Sequence, residues 1–139
     1  MSADLVAFLK ERLDEDERAA QAASPGPWSV RVAEDGRADV YAPASARLKS
    51  LGFGRAAVAV ETDGVGAVSA ADADHIARWD PARVLAEVAA KRAILDRMVE
   101  VMGDSINWDF RSRDLAEDTV RAVAQPFAGR AGFDPSWLD

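Results

Sequence analysis

The stretch Ser69 to Arg92, SAADADHIARWDPARVLAEVAAKR, constrains the fold more than any other part of the chain. It holds two helix-start signals in succession. Ser69 and Asp72 have the spacing of a capping box, with Asp a weaker partner than Glu. Asp80-Pro81 is an N-cap followed by a proline at the first helical position, where a missing N–H costs nothing. A short helix must therefore end near Trp79 and a second begin at Pro81. The second carries an apolar stripe of Val84, Leu85, Val88, Leu95, Val99 and Met102, widened by Ile94 and Met98, and Gly103 is a natural C′ residue.

The remaining segments follow from the same kind of punctuation. Leu5, Phe8, Leu9 and Leu13 share one face of a first helix over 3–23, with Ser2 as its N-cap. Ser24-Pro25-Gly26-Pro27 stops it. Alternation predicts a strand over 28–33, a hairpin turn at Asp35-Gly36 and a returning strand over 38–42. Pro43 to Gly54 reads as a loop with a helical turn near 46–51. A third strand is expected over 55–62, a turn at Asp63-Gly64, and a short fourth strand over 65–68 pairing back. The buried face of this meander is expected to be Trp28, Val30, Val32, Val58 and Val60. Ile106, Trp108 and Phe110 alternate like an edge strand. Ser112 is expected to cap a last helix over 113–124 that Gln125-Pro126 stops. Phe127, Phe133 and Trp137 in the tail predict that it packs back on the body.

The fold class is thus α+β: one domain over 1–139, with a three- or four-stranded antiparallel meander packed against an N-terminal helix and C-terminal helices. Its 139 residues suit one hydrophobic core. The net charge of −7 disfavours nucleic acid bound through diffuse basic charge, and suits an acidic protein that docks on a basic partner. The absence of cysteine excludes disulfides, thiolate metal sites and cysteine nucleophiles. No signal peptide or membrane-length apolar run is evident, so a cytoplasmic setting is expected. Positive charge that is mostly Arg, with abundant Ala, suggests a high-GC genome.

The string ADADHIARWDPARVLAEVAAKRAIL resembles the hallmark of a family of small acidic proteins of unknown function found in actinobacteria and their phages. The acidic run in DLVAFLKERLDEDERAAQAA, the Pro27-Trp28 pair and the closing PFAGRAGFDPSW are similar to the same family. The resemblance implies a small cytoplasmic protein, often linked to mobile elements. It implies no reaction, cofactor or catalytic residue. Family members often carry a His-Pro pair in the tail, where this chain has Arg130-Ala131.

Asp72, Asp74, His75 and Asp80 invite a metal or acid–base reading. Asp72 and His75, three apart, share a helix face. One imidazole without thiolates falls short of a zinc site, and no catalytic or metal residue is assigned. The structural reading makes Asp72 and Asp80 caps and lets His75 stack on Trp79. Asp14, Glu15, Asp16 and Glu17 are a candidate docking surface, although such runs are commonly solvated helix faces. Gly52-Phe53-Gly54-Arg55 lacks the features of a phosphate loop. The four tryptophans read as core and lid; a base-stacking platform would depend on Arg31, Arg37 and Arg55.

The expected function is a non-enzymatic interaction or accessory protein with a protein partner, without a cofactor. A homodimer through the 81–102 helix is open, since its stripe serves a monomer core equally. The alternative is a small-molecule or nucleotide-binding protein with a pocket between the sheet and the His75 helix, using His75, Trp79, Asp72 and Arg55. A metal-assisted hydrolase using Asp72 and His75 is a further, weaker alternative.

Overall fold

The computed structural model describes residues 3–59 and 68–139. The expectations for Ser2, for Val60 and the end of the third strand over 60–62, for the Asp63-Gly64 turn and for residues 65–67 of the fourth strand lie outside them. The fold is α+β. In chain order the elements are α1 (Ala3–Ala22), β1 (Ser29–Val32), β2 (Arg37–Pro43), α2 (Ala46–Ser50), β3 (Arg55–Ala59), β4 (Val68–Ser69), α3 (Ala70–Arg78), α4 (Pro81–Gly103) and α5 (Phe110–Ala124), followed by 3-10 turns Gln125–Phe127 and Pro135–Leu138. The chain divides into two compact units, one of residues 1–16 with 87–139, the other of residues 17–86.

The unit of residues 17–86 holds the antiparallel sheet. β1 and β2 form the predicted hairpin, in register Val32↔Ala38 and Val30↔Val40. The Ala33 N–H donates to Arg37 O and the Gly36 N–H to Ala33 O. Gly36 has φ +83°. This is a three-residue loop with glycine in the left-handed position, a geometry that a side chain would strain. β2 is the central strand. At Val40 it pairs with β1 on one edge and with Ala59 of β3 on the other.

Of the expected fourth strand over 65–68 only Val68 lies among the described residues, and there it pairs with β2. β2 is seven residues long, and β3 covers only Val40 to Pro43. β4 takes the rest of that edge, with Ala38↔Val68 and Arg37↔Ser69, and so continues the line of β3. Alternate residues Ala38 and Val40 face one side, where they are buried with Ala73 of α3. Trp28, Val30, Val58, Val68, Ile76 and Ala77 close around them. Val32, expected on the buried face, is 55% exposed because it sits at the hairpin end of an edge strand. The inward positions of the central strand, not of β1, form the floor of this core.

The two helix starts form as predicted. The Ser69 side chain accepts from the Asp72 N–H at 3.1 Å. Asp80, 7% exposed, accepts from the Arg83 N–H through Oδ1 and from the Trp28 N–H through Oδ2, both at 2.9 Å. One carboxylate thus caps α4 and fixes the chain entering β1, which explains why an acid is tolerated in a buried place. Gly26 lies against it: a Cβ there would stand 2.6 Å from Asp80 Oδ2.

The other unit is helical. Leu5, Phe8, Leu9 and Leu13 of α1 are buried, as the periodicity predicts. Val88, Leu95 and Val101 of α4 and Ala116, Val120 and Ala124 of α5 are its other buried helical positions. The tail does pack back. Phe133 and Trp137 stand 5.6 and 5.3 Å from the Phe8 ring and 5.4 Å from each other, centroid to centroid.

Three local expectations fail here. Gly103 is the last residue of α4 but is not left-handed; among the described residues only Gly36, Gly52 and Gly132 have positive φ. Ile106 to Phe110 is not a strand. The Asp104 carboxylate accepts from the backbone N–H groups of Ile106 and Asn107 and from Asn107 Nδ2, which curls the segment into a turn. Asp109 rather than Ser112 then caps α5, accepting from the Ser112 N–H at 2.7 Å, so the helix starts at Phe110.

Candidate functional site

Ala73, Ile76 and Ala77 turn α3 toward the sheet. At about 100° per residue, Asp72, His75 and Trp79 then point away from it, and all three are exposed. His75 and Trp79 do meet, ring centroids 6.3 Å apart at 47°. The Arg83 guanidinium covers the Trp79 ring at 4.1 Å. Trp79 is therefore a stacking post between α3 and the start of α4. Asp74 pairs with Arg78 at 2.7 Å. Among the described residues no group of three or more His, Cys, Asp and Glu could hold a metal ion.

Arg55 lies elsewhere. Tyr41 alternates with Val40 and Ala42 on β2 and so faces the side of the sheet away from α3. The Arg55 guanidinium sits 4.1 Å above the Tyr41 ring on that side. A shallow hollow of about 480 Å³ is lined there by Tyr41, Leu48, Phe53, Arg55, Ala56 and Ala57. The sheet thus separates Arg55 from His75, and the structure does not assemble the four expected ligand residues into one pocket. The glycine-rich segment before Arg55 is a helix cap. The Gly52 N–H donates to Lys49 O and the Phe53 N–H to Leu48 O, with Gly52 at φ +88°. That is the Schellman arrangement closing α2.

The acidic run of α1 is largely held within its own unit. Asp14 binds Arg92 at 2.6 Å and Asp16 binds Arg130 at 3.0 Å. Glu15 binds Arg12 at 3.0 Å, and Glu17 also has a partner. Arg130 thus ties the tail to α1. Among the described residues four carboxyls sit below the ordinary aspartate value of 3.8, and each is a turn or cap group. Asp104 is lowered by the Asn107 side chain and then its N–H, and Asp109 by the Ser112 hydroxyl and then its N–H. Asp35 is lowered by the Arg37 N–H and side chain, and Asp134 by the Ser136 N–H and hydroxyl.

A groove that sequence reasoning missed lies between α4 and α5. Ile94, Arg97, Met98 and Val101 of α4 and Ser112, Leu115, Ala116 and Thr119 of α5 each form an i, i+3, i+4, i+7 stripe, and with Trp108 they line a groove of about 510 Å³. Its polar side chains are engaged locally. Thr119 Oγ1 donates to Leu115 O at 2.8 Å. Arg97 binds Glu100 at 2.7 Å and lies 5.1 Å from the Trp108 ring centroid. The walls therefore present carbon. Leu115 is 67% exposed and Ile94 41% exposed at its mouth. The available signal was Leu115, which falls one residue off the buried stripe Ala116, Val120 and Ala124.

A family model of unknown function, DUF6221, matches residues 2–139. The chain belongs to the DUF6221 family. Neither a curated protein nor a solved structure matches it. The DUF6221 match spans both units, so the sheet with α3 and the helical unit with its aromatic tail are both parts of one family unit. In this DUF6221 chain no helix among the described residues is long and apolar enough to cross a membrane.

Proposed function

We propose that this protein is a non-enzymatic interaction module that docks an apolar helical segment of a protein partner in the α4–α5 groove. The observation that carries the reading is the groove itself: Ile94, Met98, Val101, Leu115 and Ala116 give its two helical stripes an apolar lining, and its Thr119 and Arg97 polar groups are already engaged. A helix with its own i, i+3, i+4, i+7 stripe is the natural occupant of such a trough. An anionic small molecule would find no donor committed to it there. The acidic run is not the docking element in this reading, because three of its carboxylates bind arginines of the same unit. A cytoplasm of actinobacterial or phage origin, often linked to mobile elements, belongs to the same proposal and rests on composition and the hallmark string.

Site-specific photocrosslinking in the producing cells tests it. A photoreactive residue at Ser112, inside the groove, should form a discrete adduct identified by mass spectrometry, and Leu115→Glu should remove it. The same probe at Lys49, in the other unit, should not form that adduct. Adducts at Lys49 alone would reject the reading. A second reading places a small anion at Arg55, favoured by its guanidinium stacked on Tyr41 beside an open hollow. Nucleotides that raise the melting temperature, with Arg55→Ala abolishing the rise, would support it; a flat response would dispose of it.

A further inference from the structure

The outer edge of α5 carries a charge pattern that fits one partner in particular. Leu115 is its exposed apolar centre, 67% accessible. Arg111 lies one turn before it and Asp118 one turn after it, both exposed. At roughly 100° per residue these two fall within about 20° of each other, about 50° to one side of Leu115. The groove residues Ser112, Ala116 and Thr119 fall on the other side. One edge of the helix therefore reads cation, leucine, anion, with Asp118 also 3.7 Å from Arg121 of its own helix, an exposed contact of little energy that pairing across a seam would replace.

We infer that the partner at this face is a second copy of the same chain, paired antiparallel through α5 about a twofold axis at Leu115. The inference rests on the α4–α5 face being an interaction surface. A twofold perpendicular to two side-by-side helices reverses their direction and keeps like edges together. Leu115 then meets Leu115 of the second copy. Arg111 of each copy comes opposite Asp118 of the other, so the pattern satisfies itself twice. A parallel pairing would set Arg111 against Arg111 and Asp118 against Asp118. Closed twofold dimers need this kind of self-complementary patch, and opposite charges across it fix register while like charges are rejected. The same axis keeps both grooves on one side of the seam, where Ile94 of each copy is drawn toward the shared apolar interior. Four helices, α4 and α5 from each copy, would enclose it in the manner of a helix bundle.

Sedimentation equilibrium of the full chain at low salt tests this. The wild type should be a dimer. Arg111→Asp and Asp118→Arg should each weaken dimerisation on the order of tenfold or more, and the double exchange should restore it to within about threefold. Leu115→Asp should give a monomer with unchanged helix content by circular dichroism. All three positions are exposed, so these variants test association and not folding. A wild type that stays monomeric at about 200 µM, well above the range of specific complexes, or a double exchange that remains as weak as the singles, overturns the inference. A monomer whose Ser112 probe still forms a Leu115-dependent adduct with a different protein overturns the second copy but keeps the docking reading. A monomer without that adduct ends both.

Discussion

Replacing Asp80 should expose how much of the sheet unit depends on one carboxylate. Its two oxygens have separate tasks: Oδ1 takes the Arg83 N–H at the start of α4, and Oδ2 takes the Trp28 N–H. An N-cap aspartate is worth about 1 kcal/mol. Leaving a partly buried N–H without its acceptor costs about 1–3 kcal/mol. Asp80→Ala loses both and should destabilise by about 2–4 kcal/mol. Asp80→Asn can keep the cap by turning its carbonyl oxygen to Arg83, but its NH₂ then faces the Trp28 N–H, donor against donor. It should fall between wild type and alanine, about 1–2 kcal/mol below wild type. Urea unfolding followed at 222 nm gives these differences, provided the slope against denaturant is unchanged. Gly26 supplies the internal check. A Cβ at Gly26 meets Asp80 Oδ2 at 2.6 Å and Cγ at 2.8 Å, and Ala82 Cβ only at 3.0 Å. Gly26→Ala should therefore be costly beside Asp80 and cheaper beside Ala at position 80, a coupling of about 1 kcal/mol or more in a double-mutant cycle. Additive effects, or an asparagine variant within about 0.5 kcal/mol of wild type, would refute the assignment of two separate tasks to Asp80.

The other predictions are simpler. Phe8→Ala removes the ring on which Phe133 and Trp137 rest and should cost about 3–5 kcal/mol in urea unfolding; a loss under about 1.5 kcal/mol would show that the tail is not anchored there. Gly52→Ala forces a side chain into φ +88° and should cost about 1–2 kcal/mol, with no steric part because nothing lies within 4 Å of the new Cβ; a neutral result in the same assay would contradict the Schellman cap. Carboxyl-carbon NMR titration should find Asp104 and Asp109 with midpoints below 3.8. Folded values lower than unfolded ones mean stability that is fully present above the unfolded value and lost as pH falls through the folded one, so their contribution should begin to fade as pH falls past the ordinary aspartate value and be gone below the folded midpoint. Ser112→Ala should raise the Asp109 midpoint, and an unmoved midpoint would reject the hydroxyl as its main cause.

Much of the architecture was legible because punctuation and period agree. Leu5 to Leu13 repeat at helical spacing before two prolines, Asp35-Gly36 falls between alternating runs, and Asp80-Pro81 sets a boundary that the structure keeps. The misreadings share a physical cause. Ile106, Trp108 and Phe110 alternate, but alternation makes a strand only where an edge is available to pair with. The competing local bonds of Asp104 needed no partner strand and won. Asp109 was overlooked as a cap because the turn it ends had been read as extended.

The candidate sites were harder, because chemically conspicuous residues are often conspicuous for structural reasons. Asp80 stands at a helix start because the N–H groups there need an acceptor, whereas at the start of α3 the acceptor is Ser69 and Asp72, expected as a cap, only donates its backbone N–H. Asp14 to Asp16 form an acidic block because Arg92, Arg130 and Arg12 must be met. The α4–α5 groove is the opposite case. Apart from Trp108 and Arg97 it is built from Ile, Met, Val, Ala, Leu, Ser and Thr, none of which attracts notice singly, and it exists only because two stripes from separate helices converge. Leu115 carries the clue in its phase. It follows the helical repeat yet sits about 100° off the stripe that Ala116, Val120 and Ala124 bury, so the core does not account for it. A leucine exposed between an arginine and an aspartate is what the inferred twofold seam would cover, and the charge-exchange variants at Arg111 and Asp118 decide whether it does.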